Sequence, residues 1–125
     1  MERDNMTTTS RTDYIRVADH APAPGGRFVK DGPFSGEWFR EELLRPALEA
    51  ALRGRYAVTV ELDGTAGYGS SFLEEAFGGL VRENGFRPSD LEHHLIVIAK
   101  TKLFQPYRGL VERYLREARR TRTVA

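Results

Sequence analysis

Ser70 and Ser71 stand side by side in the stretch LDGTAGYGSSFLEEAFGGL, residues 62–80, with Asp63 near its start. A hydroxyl just after a glycine-rich turn can serve as a nucleophile, as a phosphate acceptor, or as a helix cap. The turn itself can cradle an anion with its amides. A P-loop needs a lysine after its last glycine, and none lies between Asp63 and Val81. Gly67-Tyr68-Gly69 starts a dinucleotide fingerprint, but Phe72 fills the place of the third glycine. A nucleophile elbow fits Gly69-Ser70-Ser71-Phe72 until Leu73, where glycine is required. His93 and His94 are adjacent, which is no triad spacing, so one is expected to face the core and the other solvent. The chain has no cysteine, which removes thiol nucleophiles, thiolate zinc sites and disulfides. These residues predict no catalytic group, no metal site and no cofactor.

Each residue of the stretch has a structural use. Ser71-Phe72-Leu73-Glu74 has the spacing of a capping box, in which serine and glutamate satisfy each other's backbone amides. Leu73, Ala76, Phe77, Leu80 and Val81 form an apolar stripe at helical spacing. Gly78-Gly79 inside that helix costs about 1 kcal/mol per glycine relative to alanine. Such a cost points to close approach by the protein's own sheet or by a partner.

The same stretch suits recognition. The expected contact surface is the 63–71 loop with the exposed side of the following helix, comprising Asp63, Tyr68, Gly69, Glu74, Glu75 and Gly78. A phosphate on Ser71 would join Glu74 and Glu75 in a sharply negative patch. The alternative is a small-ligand or nucleotide sensor that uses the turn from Gly67 to Ser71 as an anion nest.

The elements that must position this stretch follow from periodicity and turn signals. Strands are expected over residues 14–18, 56–62 and 95–99, with a short strand over 27–30 paired to the first. The run at 95–99 is wholly apolar, as in a strand covered on both faces. A helix is expected from Ser35, its cap, to Gly54, with Phe39, Leu43, Ala47 and Ala50 inward and a kink near Glu42 caused by Pro46. Trp38 should pack on the loop before it. FRPSD, residues 86–90, reads as a turn. The last helix spans about 106–120, with Tyr107, Leu110, Val111, Tyr114, Leu115 and Ala118 on one face. The order (β)βαβαβα predicts an α/β sheet with helices packed against it.

At 125 residues the chain is long enough for one domain, with a leader over 1–12, the domain over 13–120 and a flexible tail over 121–125. No apolar run reaches the roughly 18 residues of a membrane span, and the polar start lacks a signal core, so a cytoplasmic protein without membrane contact is expected. The net charge of +1 conceals an asymmetry: from Lys100 onward eight lysines and arginines face only Glu112 and Glu117. Glu112 and Arg116 have i,i+4 spacing. No aromatic residues interleave with these arginines, which disfavours nucleic acid.

The strand, the loop and the serine pair at a helix start resemble the STAS superfamily, which includes the bacterial anti-sigma factor antagonists. In those proteins the pattern D-S-S/T-G-L carries a regulatory site whose second hydroxyl is phosphorylated by a GHKL-type partner kinase. The resemblance implies phosphorylation at Ser71, with Ser70 beside it, and a GHKL-type ATPase or kinase as the protein partner. Gly69 stands where that pattern has aspartate, and Phe72 where it has glycine. A closer similarity is to the STAS-like domain family of unknown function, over roughly residues 13–118, in DGPFSGEWFREELLRPAL and VTVELDGTAGYGSSFLEEAFGGL. It implies a STAS-like mixed sheet and a non-enzymatic signalling module that binds protein.

Overall fold

The computed structural model describes residues 12–124, with side chains as far as 121. The leader expected over 1–12 falls outside the described residues except for Thr12. Strands β1 (Thr12–Arg16), β2 (Ala57–Glu61) and β3 (Leu95–Ile98) form a parallel sheet in the order β1-β2-β3. Helix α1 (Val17–His20) follows β1, and α2 (residues 36–54) crosses over to β2. Helices α3 (residues 70–82) and α4 (Pro88–His94) lead to β3, and α5 (Gln105–Val124) closes the chain.

The architecture is α/β, but the sheet is not mixed. Residues 27–30 do not make a strand. Val29–Asp31 is a 3-10 turn, closed by a bond from the Phe28 amide to the Asp31 carboxylate and by Gly32 at φ 148°. Without that strand every pairing is parallel. β1 also ends earlier than expected, because the chain turns into α1 at Val17. FRPSD is only partly a turn: Pro88 opens α4, a position for which its fixed φ is suited, and Arg87 reaches Asp90 across the first turn.

Register partners in a parallel sheet share a face. Ile15, Val60 and Val97 align on the face that carries the core, together with Val58 and Leu95. Leu48 of α2, Phe77 and Leu80 of α3, and Val111 of α5 belong to the same buried cluster. Tyr14, Thr59 and Ile96 align on the opposite face, where Tyr14 is 52% and Ile96 45% exposed. β3 is therefore a terminal strand covered on one face, and its apolar sequence overstated its burial.

Helix α2 begins where the sequence predicts, with the Ser35 hydroxyl accepting from the Trp38 amide at 3.0 Å. Trp38 packs edge-on to Phe34 in the loop before it. Its inward face differs after the first turn. Residues 40–44 form a π turn, in which the Arg45 amide bonds to the Arg40 carbonyl five residues back. The wide turn lies just before Pro46 and takes up the crowding that predicted a kink near Glu42. It inserts one residue, so the fully buried positions run Phe39, Leu44, Leu48 and Ala51, while Leu43, Ala47 and Ala50 sit half-buried beside them.

Helix α3 has a matching π turn at Glu74–Gly78, and its predicted stripe from Leu73 to Val81 is buried. Helix α5 buries Val111 and Tyr114, half-buries the other four predicted positions, and leaves Arg108, Arg113, Arg116, Arg119 and Arg120 exposed. It continues through residues 121–124, where a flexible tail was expected. Glu112 pairs with Arg108 at 3.3 Å rather than with Arg116.

Candidate functional site

The loop of residues 62–69 leaves the carboxyl end of β2, the end at which open parallel sheets gather their functional loops. It is tightly held. The buried Asp63 carboxylate accepts bonds from the Lys100 amide at 2.7 Å, the Thr101 amide at 2.9 Å and the Thr101 hydroxyl at 2.8 Å. This ties the β2–α3 loop to the β3–α5 loop. The Ala66 amide bonds to the Pro22 carbonyl, and the Gly67 amide to the Thr65 hydroxyl. Gly64 and Gly67 take φ of 93° and 119°, conformations that a side chain would strain.

Tyr68 anchors the far end of the loop. Its hydroxyl donates to the Leu62 carbonyl at 2.8 Å, and its ring meets Phe72, Phe104 and Tyr107. Burial pushes its phenol above the ordinary range. Gly69 then caps α3 with its backbone alone, and Ser70 and Ser71 are exposed in the first turn. The predicted capping box is absent because the helix starts two residues earlier than it requires. The Glu74 carboxylate instead pairs with Arg27 and with Arg82.

Behind the serines lies an ion-pair network. Arg40 and Glu75 are both buried, and the Arg40 guanidinium donates to the Glu75 carboxylate at 2.6 Å and to its carbonyl at 2.8 Å. Arg27 and Arg82 each bond to Glu75 as well, at 3.1 Å. Burial alone would raise the Glu74 carboxyl, but Arg82 and Arg27 hold it below the usual carboxylate range. The acidic patch expected around Ser71 is thus already neutralised by arginines.

A match to a family model now bears on this loop: the model described as a STAS-like domain of unknown function covers residues 35–102, just over half of the chain. The chain belongs to that family. The matched span takes in the whole of α2, β2, the serine-bearing loop, α3 and β3 of this STAS-like domain. No curated protein and no solved structure matches it. Among the described residues, no helix is long and apolar enough to cross a membrane, and no group of three or more histidines and acids is placed to hold a metal.

Of the residues singled out in the sequence, Gly69, Ser70 and Ser71 are exposed, and Tyr68 and Glu74 are half-buried. Asp63, Glu75 and Gly78 are buried, which corrects their placement on an exposed contact surface. Asp63 faces the Lys100–Thr101 backbone, and Glu75 faces Arg40. His94 bonds to the Tyr56 carbonyl while His93 is exposed, as expected of the pair. The sequence reading missed Arg27 and Arg40, which reach α3 carboxylates only through folding, and Arg82, which lies two turns along α3 from Glu74 and Glu75 and whose i,i+7 and i,i+8 spacing was the available signal. For Arg40 the available signal was the glycine pair. A methyl on Gly79 would fall inside 3.0 Å of the Arg40 guanidinium, so the close approach belongs to Arg40 and not to the sheet.

Asp63 makes the loop's anchorage pH-dependent. Burial raises its carboxyl, but the amides of Lys100 and Thr101 and the Thr101 hydroxyl outweigh it and hold the group below its ordinary range. A carboxyl lowered on folding stabilises above its unfolded value, about 3.9, and that stabilisation disappears as pH falls through the folded value. Asp63→Asn should cost about 1.5–3 kcal/mol at neutral pH and flatten the stability profile below about pH 4. Urea melts of both proteins across that range test this; parallel profiles would show that Asp63 carries no such linkage.

Proposed function

We propose that this STAS-like domain is a non-enzymatic regulatory module that binds another protein through the tip of its β2–α3 loop. Phosphorylation of Ser71, with Ser70 as the neighbouring acceptor, switches that binding. One observation carries the reading: two exposed serines open a helix on an otherwise tightly tied loop, and neither hydroxyl is used as a cap. A phosphate there meets the amides and the positive end of α3. Its charge of about −1.5 to −2 alters the surface that a partner reads without disturbing the fold. The resemblance to anti-sigma factor antagonists suggests a GHKL-type ATPase as the kinase partner, and so a cytoplasmic setting.

Ser71→Asp tests the switch, because an acid in the first helical turn is worth about 0.3–1 kcal/mol of added stability. The expected result is a fold at least as stable as the wild type with partner affinity lost, whereas Ser71→Ala keeps the affinity. Incubation with ATP and a purified GHKL-type kinase, followed by mass spectrometry, should find phosphate on Ser71. Bare serines after that reaction, or unchanged binding by the aspartate variant, would sink the switch.

A second reading has one observation in its favour: the first amides of α3 have no side-chain cap, and Gly69 leaves room for an anion. In that reading the turn from Gly67 to Ser71 senses a nucleotide or phosphate. Such a ligand at 100 times its Kd adds about 2.7 kcal/mol to stability, so a thermal-shift series with nucleotides separates the two.

A further inference from the structure

β3 is the last strand of the sheet, and among the described residues no strand pairs with its outer edge. Natural edges are usually blunted by charge, proline or a bulge. β3 reads Leu-Ile-Val-Ile and pairs in unbroken register with β2. Beside it runs a groove of about 440 Å3. Leu95, Ile96 and Val97 all line this groove. Successive strand residues point to opposite faces, so a groove touched by three in a row reaches the edge itself. Leu91 of α4 with Val111 and Leu115 of α5 complete an apolar floor.

The rim is charged. Arg108, Arg116 and Arg119 of α5 line it, along with Glu92 and Glu112. Arg108 pairs with Glu112 at 3.3 Å and Arg119 with Glu92 at 2.7 Å. Arg116 has no ion-pair partner among the described residues, and it stands in the strongly basic C-terminal quarter of the chain.

We propose that this groove binds an extended peptide segment whose α5-facing side carries apolar residues followed by an acidic one, and which joins the sheet as a fourth strand on β3. The free edge supplies main-chain hydrogen bonds, the usual source of affinity when a strand is added to a sheet. The floor takes the apolar side chains that point toward α5, and a carboxylate at the rim meets Arg116. A basic segment would meet an unpaired cation instead, so the rim selects for sign as well as shape. This surface is separate from the serine-bearing loop and does not depend on the function proposed for that loop.

The probe is a capped, fluorescein-labelled heptapeptide, Thr-Val-Thr-Val-Thr-Glu-Thr, whose two valines and single glutamate share one face, titrated with the full chain by fluorescence anisotropy. Saturable binding is expected, with at least a tenfold loss when lysine replaces glutamate. Two further peptides carry N-methyl groups on one or the other alternate set of amides. One set should abolish binding and the other should leave it, because only alternate amides face the neighbouring strand. Arg116→Glu, an exposed change that leaves the core untouched, should reverse the preference between the glutamate and lysine peptides. The proposal is overturned if the glutamate peptide fails to saturate, if the lysine peptide binds as well, or if neither methylated set matters. It is also overturned if sedimentation shows a dimer that Ile96→Lys dissociates, since a second copy would then occupy the edge.

Discussion

Replacing Arg40 by methionine is expected to destabilise the protein by about 3–5 kcal/mol, the usual cost of leaving a buried charge without its partner. The side chains of Arg40 and Glu75 are each 5% exposed, and the Glu75 carboxylate would lose its closest bond, that of 2.6 Å. Arg27 and Arg82 also reach Glu75, but from more exposed positions. The double variant Arg40→Met/Glu75→Leu should recover most of the loss, because a buried pair is often replaceable by apolar packing. Gly79→Ala should imitate the single variant in part. Its methyl would displace the buried guanidinium from its place against Glu75, with the Arg40 Cδ and Cζ only 3.1 Å from the added carbon. Urea denaturation of the wild type, Arg40→Met, Glu75→Leu, the double variant and Gly79→Ala measures this directly. Additive losses from Arg40→Met and Glu75→Leu would mean that the two residues do not act as a pair.

Gly36→Leu should be the next most damaging change, at about 3 kcal/mol or more, the upper range for overpacking. Gly36 lies where α2 crosses α3, and a methyl there would come inside 3.0 Å of the Phe72 carbonyl oxygen and 3.1 Å from the Glu75 Cβ. The first obstacle is backbone, so no rotamer change relieves it. Gly109 is the control, because an added methyl meets nothing within 4 Å and the residue sits inside α5. Gly109→Ala should stabilise by up to about 1 kcal/mol. Thermal melts of the two variants moving in the same direction would contradict this account of the crossing.

Much of this architecture could be read from the chain because its signals are local. Ser35 caps α2, the apolar stripes of α3 and α5 face inward, and Val58 and Val60 mark a buried strand. Some failures arose where a nearby residue offered a competing local structure, and others where distant residues decide. The strand expected over residues 27–30 lost to a turn held by Asp31, and the role expected of Ser71 as a cap went to the backbone of Gly69. Glu74 and Glu75 looked like surface acids because nothing in the local spacing brings arginines from positions 27 and 40 to them, although Arg82 lies two turns along the same helix. In the site, exposure of the serine pair was legible. The anchoring of its loop by Asp63 was not, since that bond joins segments about 37 residues apart.

The wide turn in α2 also says something about the length of the chain. Phe39, Leu44, Leu48 and Ala51 are buried at intervals that an unbroken α-helix would supply only if one residue between 40 and 44 were missing. Residues 40–44 therefore have the geometry of an accommodated single-residue insertion, with the surplus taken up as one loose coil of backbone. A protein that kept Arg40 and lacked one of its neighbours in that turn would present the same four side chains to the same core from a regular helix. Related chains can thus differ by one residue inside a buried helix, a place where gaps are ordinarily forbidden, without changing what the core contains.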